Sequence, residues 1–287
     1  MVAITELLNR SKNKPFVLLD FSPPKGGVDL LIEDSLTLTP DVFSVAYNPG
    51  KSVRMNSIFA ASWIQKHTEL TSVFTISTRD MNKLALQSLI LGAQLYGLDN
   101  IIIVKGDSFS KNESLSQNPV DDFTPTEFIS SVKQMNQRRD FQGRDLQYPT
   151  GFCVGGSFDT SKNLDLEIKL LNHKIKSGID FIISQPIFDL DVVSRVYDKY
   201  EKCFGEKLSI PILWGLQMID KYSLSFVDVP DSIVKDIELG KSSIDIAVEL
   251  FDEYQSNGIN NIYLIPPFYK GGRRDYQVAQ TFIESVS

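Results

Sequence analysis

Eight short apolar runs, each followed by a longer amphipathic stretch, predict an α/β fold: a (β/α)8 TIM barrel. Most of the runs are continuously apolar over four to seven residues, the pattern of parallel strands covered on both faces. The length of 287 residues suits one such barrel as a single domain over residues 1–287. Periodicity does not report closure, so an open doubly wound sheet is the runner-up.

The strand candidates in order are FVLLDFS from Phe16, VFSVAYN from Val42, SVFTIST from Ser72 and NIIIVKGD from Asn100. FCVGGS from Phe152, FIISQPIF from Phe181, IPILWGL from Ile210 and NIYLIPPF from Asn261 complete the set. Between them, SIFAASWIQKH, KLALQSLILGAQLYG, TEFISSVKQMNQRR, LEIKLLNHKIKSG, DVVSRVYDKYEKCFG and SIDIAVELFDEYQSNG carry apolar residues at helical spacing. Gly97, Gly178, Gly205 and Gly258 stand where helices need a left-handed cap, and the threonines flanking Pro125 mark a helix start. A last helix is expected over roughly 275–285.

Composition narrows the function. The net charge is -7, which argues against a nucleic-acid or anionic-membrane partner. No apolar run reaches the roughly 20 residues that span a bilayer, and the start MVAITELLNRSKNK has no signal-peptide core, so the cytoplasm is expected. Cys153 and Cys203 form no disulfide framework or metal knuckle, and His67 and His173 have no ligand spacing; no metal is expected. His67 reads as a residue near a helix C-terminus. A homo-oligomer remains open.

In a barrel the carboxyl ends of the strands line the site. Those ends carry Asp20, Tyr47, Thr75, Asp107, 155–157, Gln185 and Gln217, a set of carboxylates and amides suited to acid–base chemistry and hydrogen bonding. The polar loop SFSKNESLSQNPVDDF after the fourth strand is expected on the same face. NPGKS at 48–52 has no glycine five residues before Gly50, so it is not a phosphate-binding P-loop. No GxGxxG follows a strand. KGGRR at 270–274 is basic and glycine-rich: a solvated turn is the first reading, and a grip on an anionic tail or phosphate the second.

Several segments together resemble one family. DFSPPKGG at 20–27 is similar to the E-F-F-P-P-K stretch of methylenetetrahydrofolate reductases, and VAYNPGKSVRMNS to their second-strand segment. FTISTRDMN resembles T-C-x-D-R-N, and NIIIVKGD resembles N-[VI]-L-x-L-[RK]-G-D. LEIKLLNHKIKSGIDFIISQPIFD is similar to the family's E-x-x-x-L-x-x-K-x-x-x-G-A-D-F-I-I-T-Q-x-F-F-D, the longest and most specific match.

The resemblance implies a barrel carrying FAD, which takes hydride from NAD(P)H and reduces 5,10-methylenetetrahydrofolate to 5-methyltetrahydrofolate in one-carbon and methionine metabolism. It implies that Asp20, in place of the family's glutamate, is the general acid at N10, and that Asp107 lies beside flavin and pterin. Gln185 and Tyr222 are the implied folate contacts. Tyr47, Thr75, Lys105, Gly106, Glu167 and Lys174 are the implied flavin contacts.

The sequence also departs from the family. Ala46 replaces a threonine, Val73 or Phe74 a histidine, FCVGGSFD the usual Y-P-E-x-H-P, and IYLIPPFYKGG lacks the last-strand pattern. Each loss removes a hydrogen bond worth about 1 kcal/mol. Two alternatives follow: a flavin-free reductase of the same folate using a nicotinamide or deazaflavin directly, and a non-catalytic folate-binding subunit.

Overall fold

The computed structural model describes residues 2–286 except 12–13, 29–31 and 114–115. The eight strands are β1 (Phe16–Phe21), β2 (Val42–Val45), β3 (Thr71–Ser77), β4 (Asn100–Val104), β5 (Cys153–Phe158), β6 (Phe181–Pro186), β7 (Ile212–Gln217) and β8 (Asn261–Ile265). They pair in sequence order, all parallel, and β8 closes on β1. The sheet is therefore a closed barrel, and the open-sheet alternative is excluded.

Closure follows from the pattern on the strands. Alternate residues face opposite sides, and both sides are apolar. Outward residues such as Leu19, Phe43, Phe74 and Ile101 pack with helix residues such as Ile64, Ile90, Phe128 and Leu171 in the larger core. Inward residues such as Leu18, Val42, Val73, Ile102 and Phe181 fill the barrel. Gly155 is required there, because a Cβ at that position would overlap the Phe181 ring.

Helices α1 (Ile4–Arg10), α2 (Ser57–Thr68), α3 (Lys83–Leu95), α4 (Pro125–Met135), α5 (Leu164–Lys176), α6 (Asp191–Phe204), α7 (Asp231–Glu238), α8 (Ser243–Ser256) and α9 (Tyr276–Val286) complete the fold. Sequence periodicity anticipates seven of them. The expected glycine caps all hold φ between 70° and 94°, and Thr124 forms a capping box with Glu127 at the start of α4. His67 takes the structural role expected of it, bonding the Trp63 carbonyl at 2.7 Å and stacking on the Trp63 ring.

The two unanticipated helices are α1 and α7. Ile4 and Leu8 of α1 join the inward cluster, and the Ile4 amide donates to the Asn100 side chain at 2.9 Å. This helix therefore plugs the amino end of the barrel and leaves the carboxyl end as the mouth. Among the described residues, no helix is long and apolar enough to cross a membrane, and no cluster of His, Cys, Asp or Glu could hold a metal ion.

Candidate functional site

Asp20 stands one residue before the end of β1, with 3% of its surface exposed. Its Oδ1 accepts a hydrogen bond from the Tyr263 hydroxyl at 2.8 Å. Its Oδ2 lies 2.6 Å from Arg274 Nη2, in ion-pair contact but without the alignment of a hydrogen bond. Both side chains are more than nine-tenths buried, and Arg274 Nε and Nη1 are buried with no partner. Buried donors without acceptors are costly, so this is a high-energy arrangement that an acceptor-bearing ligand would relieve.

Arg274 reaches this position from the loop after β8. Phe268 and Arg274 form an antiparallel bridge, and the guanidinium lies 4.7 Å over the Phe268 ring. Gly271 and Gly272, with φ of 88° and 86°, turn the segment back. The expectation of a solvated turn at KGGRR is therefore corrected for Arg274: a long cationic arm next to a buried carboxylate folds inward, and only the exposed Lys270 and Arg273 keep that description. The same loop is zipped to the loop after β7 by a Leu224–Phe268 bridge, a Phe226–Phe268 stack at 4.5 Å, and a Tyr269 to Asp220 hydrogen bond of 2.5 Å.

Tyr263 links three strands. It sits opposite Leu18 in the β1 register, and Ser44 of β2 lies against its hydroxyl. Part of the residue is accessible while the hydroxyl is enclosed by protein. Burial, reinforced by the Asp20 carboxylate, pushes its pKa well above the ordinary tyrosine value, so it stays a donor. Sequence reading missed it because a tyrosine in an apolar strand carries no separate signal.

The opposite side of the mouth is built from the ends of β3, β4 and β5. Lys105 and Asp107 are exposed, and Gly106 turns the chain at φ 84°, where a Cβ would overlap the Ser77 hydroxyl. Arg79 pairs with both carboxylate oxygens of Asp80 at 2.6 and 2.7 Å, donates to the Asp107 carbonyl at 2.7 Å, and lies 4.3 Å over Phe109. A cavity of about 130 Å³ opens between Arg79, Lys105, Gly106, Ser108 and Phe109. Tyr47 borders this group, its pKa raised by burial and then by Asp80. Thr75 is half-buried, and its carbonyl accepts from Ser57 at 2.7 Å. The loop after β4 lies on this face as expected, tied back by the Lys51–Glu113 ion pair at 2.7 Å.

Lys174 on α5 is buried and donates to the Ser157 carbonyl at the end of β5. Burial lowers its pKa, partly offset by Glu167. Gln185 is half-buried beside a register shift between Ile183 and Pro186. Gly215 makes that shift possible, since a Cβ there would stand 2.7 Å from the Gln185 carbonyl. Gln217, by contrast, is spent on structure: it donates to the Leu224 carbonyl at 2.7 Å and accepts from the Phe226 amide at 3.2 Å. Tyr222 is 77% exposed on that loop. No contact among the described residues links Asp20 to Asp107.

The methylenetetrahydrofolate reductase family profile matches residues 4–266. Methylenetetrahydrofolate reductase 2 of Schizosaccharomyces pombe is 22% identical over 258 residues, which are 83% of this chain and 39% of that protein. The chain thus spans about two-fifths of the length of that relative. Among solved structures, a Clostridium thermocellum protein described as binding two copies of 5-methyl-5,6,7,8-tetrahydrofolic acid superposes with a TM-score of 0.67 at 14% identity, covering 99% of both chains. An oxaloacetate acetylhydrolase superposes at 0.51 and 9% identity, covering 92% of this chain and 78% of that one, a likeness of barrel fold alone. From the profile match over most of its length, the chain belongs to the methylenetetrahydrofolate reductase family.

Proposed function

We propose that this protein reduces 5,10-methylenetetrahydrofolate to 5-methyltetrahydrofolate, with hydride from NAD(P)H passed through FAD. The observation that carries this is Asp20: a buried carboxylate in the barrel mouth, held by Tyr263 and covered by an arginine that keeps two donors unused. The folate described in the Clostridium thermocellum neighbour supports the substrate class.

Asp20 is assigned as the acid that protonates N10 as the imidazolidine ring opens. Because Arg274 covers Asp20, substrate entry requires the guanidinium to leave the carboxylate. Its unpaired Nε and Nη1 then have the pterin carbonyl and ring nitrogens as acceptors. Half-buried Gln185 offers an amide to the same heterocycle.

The Asp107 side of the mouth fits the hydroxylated and anionic chain of a flavin nucleotide. Thr78 has a buried hydroxyl with no partner, Lys105 is exposed, and the positive φ of Gly106 keeps backbone close to the cavity. Lys105, Gly106, Lys174, Glu167, Tyr47 and Thr75 would hold it. When bound, the flavin supplies a two-electron carrier between the nicotinamide and the folate iminium carbon. This chain's residues orient the folate, keep water from it, and deliver the N10 proton.

One observation favours the flavin-free variant of the same reaction: β5 carries Gly155–Gly156 at its centre, with no side chains to offer a flavin, and the Lys174 ammonium is already taken by the Ser157 carbonyl at its end. The absorbance spectrum of the purified protein, before and after incubation with FAD, separates the two. A yellow protein that forms 5-methyltetrahydrofolate supports the flavin route, and a colourless one with the same product supports direct transfer. Folate binding without product in either condition would contradict both.

A further inference from the structure

We infer that Tyr263 is the positioning residue for Asp20, fixing one carboxylate oxygen so that the short aspartate arm presents the other to the mouth. Its role presupposes that Asp20 is the acid proposed above.

The register sets the geometry. Tyr263 is the β1-facing partner of Leu18, two residues short of Asp20 along the barrel axis. Two residues of strand rise by about 6.6 Å, a span that a tyrosine side chain covers. The hydroxyl therefore rises from its own layer into the Asp20 layer and meets Oδ1 at 2.8 Å. Ser44 is the direct cross-strand partner of Asp20 and lies against the same hydroxyl, so the donor is confined from β2 while it is tethered through β8. Oδ2 is left directed at Arg274, the group at the mouth that a ligand must displace.

An aspartate needs this support. Rotation about its Cβ–Cγ bond interchanges the two oxygens, and a misplacement on the order of 1 Å is costly in catalysis. A hydroxyl that never ionises, bonded to one oxygen, removes that rotation without adding charge. A purely apolar role for Tyr263 would be served equally by phenylalanine, and this distinguishes the alternatives.

The test is a double-mutant cycle on the full chain, measuring 5-methyltetrahydrofolate formation with both nicotinamides and added FAD. Tyr263→Phe should keep the circular dichroism spectrum and KM of the parent while kcat falls about ten- to hundred-fold, the range for a lost hydrogen bond to a charged group. In an Asp20→Ala background the same substitution should leave the residual rate unchanged. Parent kcat in Tyr263→Phe would overturn the positioning role, as would an equal loss in both backgrounds. If Tyr263→Phe does not fold, Ser44→Ala makes the same comparison: a kcat loss of about two- to five-fold that vanishes without Asp20 supports the role, and an unchanged kcat overturns it. No turnover in the parent chain would instead remove the assignment of Asp20 as acid, and with it the role of Tyr263.

Discussion

The two sides of the barrel mouth are built differently. The Asp20 side is interlocked: a buried strand carboxylate accepts from a strand tyrosine through one oxygen and is ion-paired with a buried loop arginine through the other. The Asp107 side is loop-borne and open: Lys105 and Asp107 are exposed, and Arg79 is committed to Asp80 and to backbone. Asp20 and Tyr263 sit on strands, where packing fixes them. Lys105, Gly106 and Asp107 sit on the loop after β4, where the chain can vary without rebuilding the core.

That contrast can be broken at several points. Asp20→Ala should remove about 10²- to 10⁴-fold of the folate reduction rate, the usual contribution of a general acid, as read from steady-state kinetics. Arg274→Ala should cost about 3 kcal/mol in denaturant unfolding by stranding a buried carboxylate. Arg274→Lys should recover only part of this, because an ammonium cannot reproduce the planar fork over Phe268. If both variants unfold like the parent, the Asp20 side is not interlocked.

Lys174 gives the contrast a pH signature. Burial holds its folded-state pKa below the ordinary 10.5, so the unfolded chain binds the extra proton between the two values. Stability should therefore rise as pH approaches 10.5, and Lys174→Met should flatten that rise in thermal melts across the alkaline range. The smallest effect is expected at the Lys51–Glu113 clasp. The Lys51 ammonium and the Ser110 amide hold the Glu113 carboxyl at about 2, against an ordinary 4.5. Its contribution is present above pH 4.5 and is lost as pH falls towards 2. Glu113→Gln should leave the melting temperature nearly unchanged and speed amide exchange in the loop after β4.

The strands and most helices were legible because each buries a continuous face whose period is local. Asp20 was legible for the same reason, as a carboxylate at the end of an apolar run. Its partners were not. Arg274 arrives through a bridge between Phe268 and its own residue, and nothing in KGGRR distinguishes the arginine that turns inward from the one that stays out. Tyr263 hides in an apolar run, and its partner Asp20 is separated from it by 243 positions. Gln217 was read as a site amide, but its neighbours in the β7 loop claim both ends of its side chain. Helix α1 carries too few turns for periodicity to declare, and only the closed barrel gives Ile4 and Leu8 a place to be buried.

The most direct test of the folate reductase assignment is chromatographic measurement of 5-methyltetrahydrofolate formed from 5,10-methylenetetrahydrofolate, with NADH or NADPH and FAD, by the parent chain and by Asp20→Ala. Product from the parent and a loss of two or more orders of magnitude in the variant, with folate binding retained, is the expected result. Equal product from both proteins, or none from a parent that binds the folate, would contradict it.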